Sequence, residues 1–174
     1  MSESNSSGYL QALFGLSGKT AVVIGGTGVL GGAIADALAQ AGAHVVIVGR
    51  NAENGDCRVK QIEALKGSAE FFAADSTSRS DIEAVVAHLK AKGQVVDILV
   101  NGAGINAATP FLEISDEEWE RIFRVNLLSV KVACQVFGQA MLDENVAGSI
   151  INIASMSAIT PLSRVFTYSA SKAA

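Results

Sequence analysis

The sequence predicts an α/β fold, doubly wound about a mainly parallel sheet, and three observations carry that prediction. Short runs rich in Val and Ile alternate with longer segments whose apolar residues recur at helical spacing. The strand-like runs are almost uninterruptedly apolar, as strands covered on both faces must be. Of 174 residues, 49% are hydrophobic and 17% charged, with 17 Gly against 2 Pro, which suits a buried sheet closed over by helices. No linker or repeat divides the chain, and residues 1–174 are read as one domain with a single core.

Each element follows in order. Residues 1–12, polar through Gly8, read as a frayed tail. Thr20–Gly25 is the first strand, followed by a helix over Val29–Ala41 with Leu30, Ile34, Ala37, Leu38 and Ala41 on its inner face. His44–Val48 is the second strand, and Asn51–Leu65 carries Val59, Ile62 and Leu65 at helical spacing. Glu70–Ala73 is the third strand. The next helix is opened by Ser80, with Asp81 and Glu83 suiting its positive end and Ile82, Val85, Val86 and Leu89 facing inward. Asp97–Val100 is the fourth strand, Ser115 caps a helix through DEEWERIF, and a longer helix spans Asn126–Leu142. Ser149–Ala154 is the fifth strand, and a last helix begins near Tyr168. The resulting order, β-α-β-α-β-α-β-α-α-β-α, requires crossover helices and therefore parallel neighbours.

Charge and composition exclude several classes. A net charge of −4, a pI near 5.1 and scattered Lys and Arg argue against a nucleic-acid partner. No run approaches the roughly 18 apolar residues of a membrane span, so the mean hydropathy of +0.36 is read as a buried sheet. A cytoplasmic protein is expected. Cys57 and Cys134 match no disulfide or metal spacing, His44 and His88 stand alone, and no metal site is expected.

Between the first strand and its helix stands Gly25-Gly26-Thr27-Gly28-Val29-Leu30-Gly31-Gly32. Glycines permit a tight turn and close approach of the backbone to a pyrophosphate, and the helix start supplies free N–H groups and a positive dipole. Gly25, Thr27, Gly28, Val29, Leu30 and Gly31 are the expected cradle for a dinucleotide. The spacing is G-x-x-G-x-x-G instead of G-x-G-x-x-G. After the second strand, a carboxylate would pair with a ribose 2′-hydroxyl and an Arg would accommodate a 2′-phosphate. Gly49-Arg50-Asn51 offers no carboxylate until Glu53, so Arg50 is either a solvated charge or a phosphate ligand, and NADP(H) is favoured with NAD(H) possible.

Four further segments resemble the one-domain short-chain dehydrogenases/reductases. Asn101-Gly102-Ala103-Gly104 is similar to the family's N-N-A-G, Asn126 in VNLLS to its helix asparagine, and Ser155 in INIASMSA to its serine. Thirteen residues after Ser155 comes Tyr168-Ser169-Ala170-Ser171-Lys172, resembling Y-x-x-x-K. The glycine motif departs from the family's usual T-G-x-x-x-G-x-G, with Ile24 for Thr and Val29 for the middle Gly. Tyr168 and Lys172 are four apart, so on a helix they share a face. A free phenol gives up its proton reluctantly at neutral pH, and a nearby ammonium eases that step.

The resemblance implies roles. Tyr168 is the acid–base group, Ser155 hydrogen-bonds the reacting oxygen, Lys172 assists Tyr168 and holds a ribose, and Asn126 anchors a relay water. Asp75 and Ser76 edge the adenine, while Asn101, Ala103 and Gly104 flank the adenosine ribose. The family's Rossmann-like strand order, 3-2-1-4-5-6-7, implies a chain cut off after Lys172, lacking strands six and seven, dependent on the missing part for activity, and homo-oligomeric when whole. The stretches LFGLSGK, QVFGQAM and SMSAITPLSRVFTYSASKAA look like fructuronate/mannonate-type reductases and gluconate dehydrogenases, implying a carbonyl or secondary-alcohol substrate such as a keto-sugar acid. Arg164 is then a candidate for the substrate carboxylate, or simply a surface charge. A 3-oxoacyl-carrier-protein reductase and a catalytically silent nucleotide-binding protein are the competing readings.

Overall fold

Alternation of side chains along β-branched strands, with helices on both faces, yields two apolar cores from one sheet. The computed structural model describes residues 3–174. Five parallel strands, β1 (Thr20–Ile24), β2 (His44–Gly49), β3 (Ser68–Ala73), β4 (Ile98–Asn101) and β5 (Ser149–Asn152), take the order β3-β2-β1-β4-β5. The register is continuous, with Val22 opposite both Val46 and Leu99. On one face Val22, Ile24, Val46, Val48 and Leu99 meet α4 (Arg79–Ala91) and α6 (Ser129–Asp143) through Ile82, Val85, Leu89, Val132 and Phe137. On the other, Ala21, Val23, Val45, Ile47 and Val100 meet α2 (Val29–Gln40) and α3 (Ala52–Ala64).

Several elements differ from the sequence reading. Residues Glu3–Phe14 form a helix, α1, where a frayed tail is expected; Met1 and Ser2 lie outside the described residues. Tyr9 with Leu13 and Leu10 with Phe14 are four apart, a spacing that supports a helix even though all four side chains are exposed. The inner face of α2 is Gly31, Gly32, Ala35 and Ala39, whereas Leu30 and Ala37 are exposed. Small residues let α2 lie close to the sheet, and the Arg58 guanidinium, paired with Asp36 at 2.8 Å, covers Gly32. Leu65, expected to face inward on α3, is likewise exposed, because it lies past the last turn.

The cap of α4 is Ser78, not Ser80. Its Oγ accepts from Asp81 N at 3.3 Å and donates to the Asp81 carboxylate at 2.8 Å, a reciprocal arrangement that Ser80, inside the first turn, cannot make. Ser115 caps α5 (Asp116–Phe123) as expected. α5 and α6 are not separate, because a π-helical turn, Arg124–Leu128, joins them into one run over Asp116–Asp143. By length and composition this run could cross a membrane; its inner face, Ile122, Val132, Ala133, Phe137 and Met141, is buried in the core. The fifth strand is an exposed edge, with Ile150 and Ile151 open to solvent. The last helix, α7, is Phe166–Ala173.

Candidate functional site

Parallel strands leave their C-terminal ends facing the same way, and the crevice above them is where doubly wound sheets take ligands. Two adjoining clefts lie there. One, of about 420 Å³, runs from the turn after β1 over the ends of β2 and β3 to α5. The other, of about 480 Å³, is lined by Ser155, Tyr168 and Lys172. They share Gly102, Gly104 and Ile105, the loop that leaves β4.

The turn after β1 is built by close approach. Gly25 has φ +81°, and a Cβ there would stand 2.7 Å from Ala103 N. A Cβ on Gly31 would run into the Gly25 carbonyl, so the first turn of α2 can only sit this tightly with glycine. α2 starts after Gly28 with no side-chain cap. Its first N–H groups therefore have no intrahelical or capping partner beside the cleft floor of Gly25, Thr27 and Gly28. This cradle fits a dinucleotide pyrophosphate. At the end of β2, a Cβ on Gly49 would lie 3.0 Å from the Thr27 side chain, so a larger residue there would have to displace Thr27, and no carboxylate stands at this position. Arg50 follows and lines the cleft.

The expected cofactor residues divide. Gly25, Thr27, Gly28, Arg50, Asp75, Ser76, Ala103 and Gly104 line the first cleft. Leu30 lines the second instead. Val29 points to solvent, Gly31 is buried beneath the turn, and Asn51 caps α3 by accepting from Asn54 N at 2.8 Å; none of these three lines either cleft. Asn101 lines neither cleft. It is buried and donates to Asn152 Oδ1 at 2.8 Å and to Cys134 Sγ at 3.5 Å, tying β4 to β5 and α6. Arg164 also lies outside both clefts, exposed, with φ +62° and one long bond from Nη2 to the Ala108 carbonyl at 3.4 Å.

The catalytic set converges. Tyr168 and Lys172 project from α7 into the second cleft, with Lys172 Nζ 6.0 Å from the Tyr168 ring centre. Lys172 Nζ donates to the Ile153 carbonyl at 2.7 Å, which anchors it beside the end of β5. Ser155, extended at φ −151°, accepts from Ser157 N at 3.1 Å, so its own O–H remains a donor for a ligand. Asn126 is buried in the π turn, accepting from Ile105 N at 2.8 Å and donating to the Ile105 carbonyl and to Ser171 Oγ, both at 2.9 Å. Ser171 Oγ in turn donates to the Tyr168 carbonyl at 2.7 Å. Both amide N–H groups of Asn126 are thus committed to the chain, so Asn126 braces the shared loop and α7.

Sequence reasoning missed Arg121, Arg124 and Val125 in the first cleft and Asn106, Leu162 and Val165 in the second. Arg121 and Arg124 were findable: they lie five and two residues before Asn126, on the turn that delivers it. Among the described residues, no group of three His, Cys, Asp or Glu is arranged to hold a metal.

Known proteins share this arrangement. The chain is 37% identical over 173 residues to an uncharacterized oxidoreductase, UxuB, of Bacillus subtilis (strain 168), covering 91% of this chain and 62% of that protein. It is 35% identical over 159 residues to D-threitol dehydrogenase of Mycolicibacterium smegmatis, covering 91% and 61%. Among solved structures, a protein of Beutenbergia cavernae proposed to be an NAD(P)-dependent gluconate 5-dehydrogenase, with NADP bound, superposes with a TM-score of 0.84 at 39% identity, over 92% of this chain and 63% of that one. The chain thus spans about three fifths of the length of these relatives. The family model for short chain dehydrogenases matches residues 19–174, from just before β1 through Tyr168 and Lys172, and the chain belongs to that family.

Proposed function

We propose that the protein interconverts a carbonyl and a secondary alcohol with NADP(H), and that its substrate is a keto-sugar acid. The observation that carries this reading is the junction of the two clefts: the glycine cradle and Arg50 on one side, Ser155, Tyr168 and Lys172 on the other, joined at Gly102 and Gly104. When bound, the nicotinamide supplies or accepts the hydride. Tyr168 holds the proton that passes to the carbonyl oxygen in reduction and takes it back in oxidation. Ser155 O–H, free of other acceptors among the described residues, donates to the same oxygen and orients it. The Lys172 ammonium on the same helical face favours the phenolate that proton transfer leaves.

Arg50 and the absence of a carboxylate at Gly49 favour the phosphorylated cofactor. Similarity to a D-threitol dehydrogenase and to a proposed gluconate 5-dehydrogenase supports a polyol or sugar acid. Asn106, Ser155 and Ser157 give the second cleft hydroxyl and amide partners for such a molecule, whereas Arg164, the carboxylate candidate from the sequence, sits on the exposed loop entering α7, outside that cleft.

The test is a panel of keto-sugar acids, polyols and a 3-oxoacyl thioester with each cofactor, followed at the nicotinamide absorbance. Turnover of a keto-sugar acid with NADPH is expected. Turnover confined to the thioester, or to NADH, would remove the corresponding half of the proposal.

A further inference from the structure

Arg50, Arg121 and Arg124 all line the first cleft, and none of them makes an ion pair among the described residues. The other arginines are engaged: Arg58 with Asp36, Arg79 with Glu83 and Gln135, and Arg164 with the Ala108 carbonyl. Three of the chain's 13 Lys and Arg are therefore gathered at one crevice of a protein whose net charge is −4. The carboxylate in this cleft, Asp75, does not neutralise them. Its Oδ1 is taken by Thr77 N and Thr77 Oγ1, both at 2.9 Å. Gathering like charges around a concave site costs energy unless something else brings the opposite charge.

Their placement is two-sided. Arg50 leaves the end of β2, while Arg121 and Arg124, three residues apart and so on one helical face, come from the last turn of α5 and the π turn across the cleft. We infer that Arg121 and Arg124 form a second cationic wall that captures the phosphates of an adenine nucleotide, whichever ribose substituent it carries, while Arg50 discriminates the 2′-phosphate. The inference rests on the nucleotide-binding reading of this cleft, but not on the preference for NADP(H). The two exposed guanidiniums act through attraction at the mouth, so their contribution is sensitive to salt and grows with the negative charge of the ligand.

The test uses three probes of one shape and rising charge: adenosine, ADP and adenosine 2′,5′-bisphosphate. Binding to the purified protein is measured by calorimetry across a salt series for wild type, Arg121→Gln, Arg124→Gln and the double variant. Each single variant is expected to weaken ADP by about two- to fivefold, the span of an exposed ion pair, and the more highly charged bisphosphate by at least as much. The double variant is expected to flatten the salt dependence, and adenosine binding is expected to stay unchanged. Unaltered binding of both anions in the double variant would overturn the inference, as would an equal loss for adenosine, which would signal packing instead of charge. A wild-type preference for ADP, with both variants still weakened, would retain the second wall and remove only the NADP(H) reading.

Discussion

Replacing Asn126 by Ala should both destabilise the fold and slow the chemistry, because one buried amide holds two walls of the catalytic cleft together. Asn126 is 4% exposed and makes three hydrogen bonds, to Ile105 N, the Ile105 carbonyl and Ser171 Oγ. A net hydrogen bond is worth about 1 kcal/mol, and a buried donor left without a partner costs about 1–3 kcal/mol. Ser171 keeps its bond to the Tyr168 carbonyl, so the group most exposed to that penalty is the Ile105 N–H. The loss comes to roughly 3 kcal/mol, a large share of the ~5–15 kcal/mol that holds a domain together. With a urea slope of about 1–3 kcal/mol per M, the unfolding midpoint should fall by roughly 1–3 M.

Turnover should fall as well, since the loop at Gly104–Ile105 and α7 would lose their common brace. The expected pattern is a lower kcat together with weaker nucleotide binding, because the Gly104–Ile105 loop that Asn126 holds lines both clefts. Asn126→Asp should be no better than Ala: it keeps an acceptor for Ile105 N but faces the Ile105 carbonyl with a negative oxygen. A midpoint shift below about 0.1 M with turnover retained, well under the effect of one hydrogen bond, would show that water or a neighbour replaces the amide and that the bracing argument is wrong.

Other outcomes follow from single contacts. Tyr168→Phe should reduce turnover about 10²- to 10⁴-fold while leaving nucleotide binding unchanged; activity within about tenfold of wild type would assign proton transfer to another group. Arg50→Ala should weaken NADP(H) by about tenfold or more and NAD(H) hardly at all, and equal losses for both would refute its role as a phosphate ligand. For Glu70, burial alone would raise the carboxyl, but hydrogen bonds from Lys92, His88 and His44 hold it down to about 2, from an ordinary 4.5. A depressed carboxyl stabilises the fold above its unfolded value and loses that contribution as pH falls through 4.5 toward 2. Wild type should therefore exceed Glu70→Gln by about 1–2 kcal/mol at pH 6, allowing for solvent screening, and the gap should shrink by pH 3; a constant gap in paired urea melts would place the effect elsewhere.

How much of this was legible in the sequence depended on the range of the interaction. The strands and both cores follow from β-branched runs such as TAVVI and HVVIVG, because burial on two faces leaves a pattern that needs no partner to be read, whereas the strand order came with the family resemblance. The Tyr168–Lys172 pair was legible for the same reason, since four residues on a helix fix a shared face. Asn101 was not, because its partners Asn152 and Cys134 lie 51 and 33 residues away and only the β4–β5 register brings them together. Leu30, placed by helical spacing on the inner face and also named in the glycine cradle, lines the cleft of Tyr168 and Lys172, and glycine and alanine face the sheet in its place. Bulk predicts burial only where the helix stands a normal distance from its neighbour, and here the cradle draws it closer.

The π turn is the clearest case of a feature that spacing alone misplaces. The buried residues of the long helix are Ile122, Asn126, Ser129, Val132, Ala133, Phe137 and Met141, with several successive pairs four apart. On a regular helix each step of four overshoots a full turn by about 40°, so such a stripe winds away from the sheet. A turn with wider hydrogen bonding takes up more residues per revolution and absorbs part of that drift. No Gly or Pro marks the place, and a reading by breakers divides the run at Asn126 instead. The wider turn lets one helix serve three surfaces in succession: Arg121 and Arg124 at the first cleft, Asn126 beneath the loop between the clefts, and Phe137 in the core. Five residues, Arg124–Leu128, thus carry both a lining residue of the first cleft and the amide that holds the loop shared by the two clefts. Deleting one of them should disturb both clefts at once, whereas Arg124→Gln should disturb only the first.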